Sequence, residues 1–189
     1  MLDHIDAVRA DITDRLAKGA SCRNSAMHTP VVGTADADVR VMVLRHFDPD
    51  EWTLRFHTDL RAPKCAVVAA DPRIGVLLYD REAKIQMRVR GRAWIEHEGE
   101  TADHAWQQST NFARRCYLGD GPGTASDSPT SGLPEEVEGV EPGDAELVPA
   151  RENFAVLIVE IEEVDWFFLS HDGHRRALVT REGGQWIAP

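Results

Sequence analysis

One short stretch of the sequence concentrates side chains that bind anions. The segment "RFHTDLRAPKC", residues 55–65, contains Arg55, Arg61 and Lys64 together with the hydroxyl of Thr58. Guanidinium and ammonium groups form charge-assisted hydrogen bonds to phosphate oxygens, and a hydroxyl adds one more donor. These residue types at this spacing predict an anion site, and a phosphate group fits them.

The distribution of charge narrows the class of anion. The chain has a formal net charge of -11, yet residues 40–92 contain 11 Lys and Arg residues against 7 Asp and Glu residues. A locally basic segment attracts a small anion, while the acidic remainder repels long polyanions such as DNA or RNA. We therefore expect a small phosphorylated ligand and no nucleic acid.

Three other features have a structural interpretation beside a functional one. The alternating arginines of residues 88–92 are typical of a solvated strand face. Trp166 begins a run of three aromatic residues, as core side chains often do. His171 and His174 flank a turn without further close ligands, so the sequence predicts no metal site.

Length and composition predict one globular domain over residues 1–189. The chain is 42% hydrophobic and 28% charged, close to a soluble average. No apolar run reaches the length of a membrane helix, and the polar N-terminus does not resemble a signal peptide, so we expect a cytoplasmic protein without membrane association.

Three widely spaced cysteines suit reduced thiols, and for Cys65 a buried, inert thiol is favoured over one made acidic by a helix N-terminus.

Hydrophobic periodicity predicts two helices and one long loop. Apolar residues at spacings of three and four indicate an amphipathic helix over residues 3–18, stopped by Gly19, and a second helix over residues 100–117. One or two helical turns are expected over residues 64–70. Residues 120–150 contain 8 Asp and Glu residues, no Lys or Arg, and many Gly, Pro and Ser residues, which predicts a long excursion loop.

The remaining pattern is that of strands joined by hairpins. Seven or eight strands and few helices favour a mainly β fold, an antiparallel barrel with peripheral helices. The β-rich segments from which these strands are predicted are "HTPVVGT", "VRVMVLRHF", "WTLRFHT", "IGVLLY", "KIQMRVRGRAWIE", "NFAVLIVEI", "VDWFFLS", "HRRALVT" and "QWIAP". "DPDE" and "HDG" are predicted as hairpin turns.

Four local motifs in this order resemble the pyridoxamine 5′-phosphate oxidase family, the FMN-binding split barrels. The resemblance runs from about Thr29 to Pro189. It rests on the Arg-led strand "RVMVLR", on His57-Thr58 followed by "RAPK", on Gln86 opening a long strand, and on Trp166 followed by His174 and Arg176.

The resemblance implies FMN as the cofactor and a homodimer with the cofactor at the two-fold interface. Arg40, Thr58, Arg61 and Lys64 would bind the phosphate. Arg176 would stand near the N1–C2 carbonyl edge of the flavin and, with Trp166, would come from the partner subunit. The full implied cofactor set is Arg40, Val41, Met42, Val43, Leu44, Arg45, His57, Thr58, Arg61, Lys64, Gln86, Trp166 and Arg176.

The family pattern also implies catalytic and substrate residues, from which this chain departs in places. His174 and Arg176 take the catalytic positions, and His57 and His171 are further candidates for a general base. Where the oxidases have Ser-Arg-Lys this chain has Ala62-Pro63-Lys64, and Asp172 replaces an arginine that holds the vitamin phosphate. The implied substrate set is Arg45, Arg115, Tyr117, Asp172 and His174.

These residues support an FMN-dependent oxidoreductase acting on a small substrate of its own. Because one fold hosts several functions, two other classes stay open. One is a flavin- or haem-binding carrier or redox sensor without turnover, and the other is a phosphate-binding module without flavin. The visible spectrum of the purified protein separates them.

Overall fold

The computed structural model describes residues 3–189, and its strands form one nine-stranded sheet. The strands are β1 (Val31–Thr34), β2 (Val39–Val41), β3 (Leu44–Asp48), β4 (Thr53–Asp59), β5 (Arg73–Asp80), β6 (Ile85–Glu96), β7 (Phe154–Phe168), β8 (Arg175–Val179) and β9 (Gly184–Ile187). The sheet has the order β2-β1-β5-β6-β7-β4-β3, with β8 pairing β7 and β9 pairing β8. The antiparallel pairing that the hairpin pattern predicts is confirmed for the strand pairs β1–β2, β1–β5, β3–β4, β5–β6, β7–β8 and β8–β9.

Helices are short apart from the first. They are α1 (Ile5–Ser21), α2 (Pro63–Ala70), α3 (Glu100–Gln107) and α4 (Asn111–Arg114), with 3-10 helices at Arg115–Tyr117, Glu135–Val137 and Val148–Asn153. Within residues 3–189 we find no helix with both the length and the apolar character needed to cross a membrane.

The residues divide into two compact units, each made of several chain segments. The first contains residues up to 56, 71–94 and 158–189, and the second contains residues 57–70 and 95–157. The strands β4, β6 and β7 contribute residues to both units. The expectation of a single domain over residues 1–189 stays a prediction.

In the first unit, strand alternation separates a buried face from an outer face. In β5 the side chains of Ile74, Val76 and Leu78 are buried while the residues between them are exposed, because successive side chains of a strand point to opposite faces. Antiparallel neighbours opposite one another share a face, so the outer face continues from Leu77 of β5 to Arg88 of β6.

The first helix covers part of this unit with the apolar stripe that its sequence predicts. Val8, Ile12 and Leu16 are fully buried. The helix runs three residues beyond the predicted end, through Gly19 to Ser21, so the predicted stop is wrong. A Cβ at Gly19 would lie 2.9 Å from the Cβ of Met27, so the glycine serves close packing and not termination.

The second unit contains the acidic loop and an aromatic core. Phe154 is fully buried and packs against His57, Trp106 and Tyr117, with ring centroids 5.0, 5.3 and 5.1 Å away. The amide of Leu60 donates to the carbonyl of Asn153 over 2.8 Å. Residues 120–150 form mostly irregular backbone, as predicted, with the 3-10 turn Glu135–Val137 inside it.

Three element boundaries differ from the predictions for identifiable reasons. The run "VRVMVLRHF" is two strands. The amides of Met42 and Leu44 still bond to the carbonyls of Pro30 and His28 in the β1–β2 register, but Pro30 has no amide hydrogen to donate in return, so the regular pairing stops at Val41. The predicted helix over residues 100–117 breaks before α4, whose first turn is capped by the hydroxyl of Thr110. The two predicted strands over residues 154–170 are the single strand β7.

Candidate functional site

A buried carboxylate joins two arginines on the outer face of the first unit. Asp165, on β7, is 0% exposed. Arg176 donates from Nε and Nη2 to its two carboxylate oxygens over 2.9 and 2.8 Å, and Arg88 donates from Nη2 to Oδ2. We call Arg88, Asp165 and Arg176 the arginine-aspartate cluster. Two cations and one anion leave it with one net positive charge.

Strand register brings these three residues together. Arg176 of β8 lies opposite Phe167 of β7, two residues from Asp165 and on the same face. Arg88 comes from β6, and the next pair along the same strands, Arg90 and Glu163, forms a second ion pair with Nη1 and Oε1 2.8 Å apart. To align in this way, β6 and β7 approach each other closely at the glycine that follows Arg90.

That glycine is Gly91, where β6 passes against the backbone of β7. A Cβ built there would lie 2.0 Å from the carbonyl oxygen of Glu160 and 3.4 Å from the Cα of Ile161. No side chain fits at such distances, so glycine is the residue that this crossing allows.

Burial and charge act in opposite directions on the pKa of Asp165. Burial alone raises it, but the hydrogen bond from Arg176 and the charges of both arginines outweigh burial and hold the pKa below its ordinary value. The hydrogen bond to Asp165 likewise raises the pKa of Arg176. The cluster therefore keeps its charges at neutral pH.

Predicted cofactor residues of the first unit lie on both faces of the sheet. Gln86 is two residues before Arg88 and shares its face, so the structure brings Gln86 and Arg176 to one surface. Arg40 lies on the opposite face, where it binds Asp38 and donates to the hydroxyl of Thr34 over 3.0 Å. The stretch from Val41 to Arg45 has Met42 and Leu44 buried and Val41 and Arg45 exposed, with Val43 between these extremes.

Trp166 is buried and hydrogen-bonded to the first helix. Its indole Nε1 donates to Oδ2 of Asp11 over 2.9 Å, and its ring stacks on Phe168. Asp11 also pairs with Arg15, which reaches Asp80 over 2.9 Å. These charged residues line an open cavity of about 700 Å³ between α1 and the β5–β6 turn. The contribution of Trp166 to a partner's cofactor stays a prediction.

The opening anion motif is placed in the second unit, apart from Arg55, which belongs to the first. Arg61 is held by Asp59, with Nε and Nη2 3.0 and 2.7 Å from the two carboxylate oxygens, and this bond raises the pKa of Arg61. Thr58 is buried, and Lys64 is half-buried at the start of α2. Asp59 is thus a neighbour of the predicted phosphate residues that the sequence prediction did not include.

Arg55 combines partial burial with an unsatisfied donor. Its Nε is buried and has no hydrogen-bond partner within residues 3–189, and burial lowers the pKa of this side chain. In the second unit, Cys65 is buried as predicted, and burial raises the pKa of its thiol, while its lack of reactivity stays a prediction.

The predicted substrate residues of the second unit have structural contacts. Arg115 donates from Nη1 to the carbonyls of Val137 and Val140, and its guanidinium lies 3.7 Å from the ring centre of Phe112. It therefore tethers the acidic loop. Tyr117 belongs to the aromatic core around Phe154.

The β7–β8 turn exposes the remaining substrate candidates. His174 accepts a hydrogen bond at Nδ1 from the amide of Ser170 over 3.1 Å, and its ring contacts Phe167 edge-on at 5.4 Å. Asp172 and His171 are exposed in the same turn. Within residues 3–189 no group of three His, Cys, Asp or Glu side chains is placed to hold a metal ion.

Sequence comparison agrees with this architecture. Residues 12–97 match the family model described as pyridoxamine 5′-phosphate oxidase, FMN-binding domain. The structure is similar to a pyridoxamine 5′-phosphate oxidase-related, FMN-binding protein of Nostoc punctiforme, with a TM-score of 0.75 and 21% identity over 96% of this chain and 97% of the other. The chain therefore has the fold of a split barrel.

Two further comparisons place limits on what the likeness shows. This split barrel is similar to PhzG of Burkholderia lata, with a TM-score of 0.67 and 18% identity over 95% of this chain and 91% of the other. A search of curated proteins gives no match. Identities this low show the fold, which confirms the predicted fold class, and leave the reaction to be argued from the residues.

The donors of this split barrel fit a flavin better at the ring than at the phosphate. The side chain of Arg88 is 42% exposed and shares its face with Gln86 and Arg176. Such donors suit the carbonyl-rich edge of a flavin ring. For a terminal phosphate, the hydroxyl of Thr58 already donates to the carbonyl of Asp59 over 3.3 Å, and two donors of Arg61 are bound to the carboxylate of Asp59.

Sequence reasoning missed Asp165 and treated Arg88 as solvated. A signal was present, since an aspartate interrupts the apolar run "VDWFF", and a carboxylate that is buried in such a run requires cationic or hydrogen-bonding partners. Which cations those are depends on strand pairing.

Proposed function

We propose that this protein binds FMN and works as an oxidoreductase on a small substrate. The observation that carries the proposal is the arginine-aspartate cluster on the same face as Gln86, in a chain whose residues 12–97 match an FMN-binding domain. FMN, when bound, supplies the hydride chemistry of such enzymes.

The residues of the chain provide binding and orientation. Gln86, Arg88 and Arg176 donate hydrogen bonds toward the carbonyl edge of the ring, where positive charge favours the electron-rich reduced form. We propose Lys64, Thr58 and Arg61 of the second unit as the residues that bind the phosphate. We assign proton transfer to His174. Its Nδ1 accepts a hydrogen bond from the amide of Ser170, so in the neutral ring the proton is on Nε2, which can donate it.

The outer face of the first unit also supports a homodimer. Val39, Val41, Leu77 and Tyr79 are between 40% and 64% exposed. Val41 and Leu77 both flank Val31 in the register, so they form a continuous apolar row that ends at Arg88. Exposed apolar patches on a sheet are typical of association surfaces, and we assign this one to a second copy of the chain.

The substrate we propose is not a vitamin B6 phosphate. Asp172 is exposed where the oxidases offer an arginine, and the acidic loop adds negative charge to the second unit. Since PhzG, with the same fold, is described in complex with tetrahydrophenazine-1-carboxylic acid, ring-shaped carboxylates belong in the first substrate screen. A cytoplasmic location remains our expectation.

The visible spectrum of the purified protein tests the proposal. We expect the two absorption bands of an oxidised flavin, and mass analysis of the material released by heat should identify FMN. A haem spectrum would instead support the carrier or sensor function. Protein that stays colourless after incubation with FMN would overturn the proposal and favour a phosphate-binding module.

A further inference from the structure

Asp165 is unusual among the ion-pairing carboxylates of the first unit because it is buried and shared. Its side chain is 1% exposed, while Arg176 and Arg88 are 26% and 42% exposed. Both of its oxygens accept from Arg176, and one accepts from Arg88 as well. A carboxylate with this many donors holds both guanidinium groups in fixed orientations.

The bonds to Asp165 determine which donors the arginines have left. Arg176 uses Nε and Nη2, so its Nη1 carries the remaining donors, and the described part of the chain gives Nη1 no partner. Arg88 uses Nη2 for Asp165 and its Nε is buried, so the donors that a ligand can reach are the remaining ones of Nη1 and Nη2, on a side chain that is 42% exposed. The unused donors of both arginines therefore stand around one buried carboxylate.

A neighbouring ion pair on the same face of the sheet lacks the buried, shared carboxylate of the arginine-aspartate cluster. Arg90 and Glu163 lie two residues away on the same strands, and their side chains are 63% and 27% exposed. A single exposed bond joins them. Exposed pairs of this kind contribute little to stability or orientation, which makes Glu163 a matched control for Asp165.

We propose that Asp165 is a positioning residue of the flavin site, which orients Arg88 and Arg176 so that their free donors meet the ligand together. This inference rests on the proposed function, since it takes FMN as the ligand. Asp165 itself accepts hydrogen bonds from the arginines and does not contact FMN. Arg88 thereby becomes a site residue and not part of a solvated strand face.

A change of net charge and a loss of arginine orientation predict opposite effects of an Asp165 substitution on FMN affinity. Asp165→Asn raises the net charge of the cluster from one to two positive charges, so a charge effect alone would tighten the binding of anionic FMN. Loss of orientation weakens binding instead. The double variant Arg88→Gln/Asp165→Asn restores the original net charge without restoring the shared carboxylate, and comparison with the single variant Arg88→Gln removes the loss of Arg88 itself, so the two effects are separated.

The test measures FMN dissociation constants by quenching of flavin fluorescence. We expect Asp165→Asn and the double variant each to bind FMN more weakly by about 10- to 100-fold, as for lost hydrogen bonds to charged groups. Glu163→Gln should stay within about twofold of the wild type. In the FMN-free protein, the Nε–H of Arg176 should give a slowly exchanging NMR signal that Asp165→Asn abolishes.

Several outcomes would overturn the inference. Equal or tighter FMN binding by Asp165→Asn, or wild-type binding by the double variant, would show that only net charge matters. If both variants fail to fold, Asp165→Glu is measured instead, because it moves the carboxylate by one methylene at constant charge. Wild-type FMN affinity of Asp165→Glu would contradict the positioning role. A loss of affinity of about threefold or more would support it. Wild-type protein that does not bind FMN would refute the proposed function itself, a result read before any variant is made.

Discussion

The indole Nε1 of Trp166 donates a hydrogen bond to Oδ2 of Asp11 over 2.9 Å, which ties the strand that carries the cluster to the first helix. Trp166 is 1% exposed, so this donor has no access to water as a substitute partner. Because a buried polar group without a partner is costly, the bond fixes how the helix lies on this strand within the first unit.

We predict that Asp11→Ala lowers the free energy of unfolding by about 1–3 kcal/mol, since the buried indole N–H loses its acceptor. Asp14, on the same helix, is exposed and serves as the control: Asp14→Ala should change stability by no more than about 0.5 kcal/mol. Urea denaturation followed by tryptophan fluorescence measures both. Equal effects of the two variants would mean that the hydrogen bond contributes nothing specific.

Lys64→Ala should weaken FMN retention sharply, because the ammonium group is a main phosphate donor in the proposed site. We expect a loss of about tenfold or more in affinity, measured by flavin fluorescence. Lys18→Ala removes the same charge from α1 and should leave affinity unchanged. Flavin binding by Lys64→Ala at wild-type strength would show that the phosphate assignment is wrong.

Stability should fall in acid partly through Asp165. Its folded pKa lies below the ordinary aspartate value, so the carboxylate stabilises the folded protein above about pH 4 and loses that effect as pH falls through the folded pKa. Asp71, whose pKa Arg73 lowers to about 2, acts in the same direction. Asp165→Asn should therefore flatten the plot of unfolding free energy against pH below about pH 4. Parallel plots for variant and wild type would contradict this assignment.

The apolar row of the first unit should mediate dimerisation. Leu77→Asp places a charge in the proposed interface and should shift sedimentation at micromolar concentration from dimer to monomer. Val148 is 72% exposed in the second unit, so Val148→Asp controls for added surface charge and should remain dimeric. A monomeric wild type that still binds flavin would exclude shared sites.

Pyridoxine and pyridoxamine 5′-phosphate should be poor substrates of the FMN-loaded protein. A phosphate dianion near Asp172 meets repulsion instead of a bidentate arginine contact. The assay follows pyridoxal 5′-phosphate formation under oxygen, first with the wild type and then with Asp172→Arg. Activity that appears only in the variant would support exclusion by Asp172, whereas efficient wild-type turnover would restore the vitamin B6 oxidase function.

Local pattern was enough to predict most elements of the fold and part of the site. Period-two alternation placed the arginines of residues 88–92 on one strand face, and the apolar spacing of the first helix identified its buried stripe, Val8, Ile12 and Leu16. Both signals depend on residues a few positions apart. The same local signals failed at Gly19, because its role is set by Met27, a neighbour in space across a turn.

The sequence by itself therefore determined the fold class, the strand faces and the basic residues available to an anion. Only the tertiary structure decided how those cations are used. Arg88 and Asp165 are separated by 77 residues, and their contact depends on the register between β6 and β7, which a one-residue slip would destroy. Likewise Arg61, predicted to be available for phosphate, is held by Asp59, because the turn at residues 59–61 brings the carboxylate back onto its guanidinium.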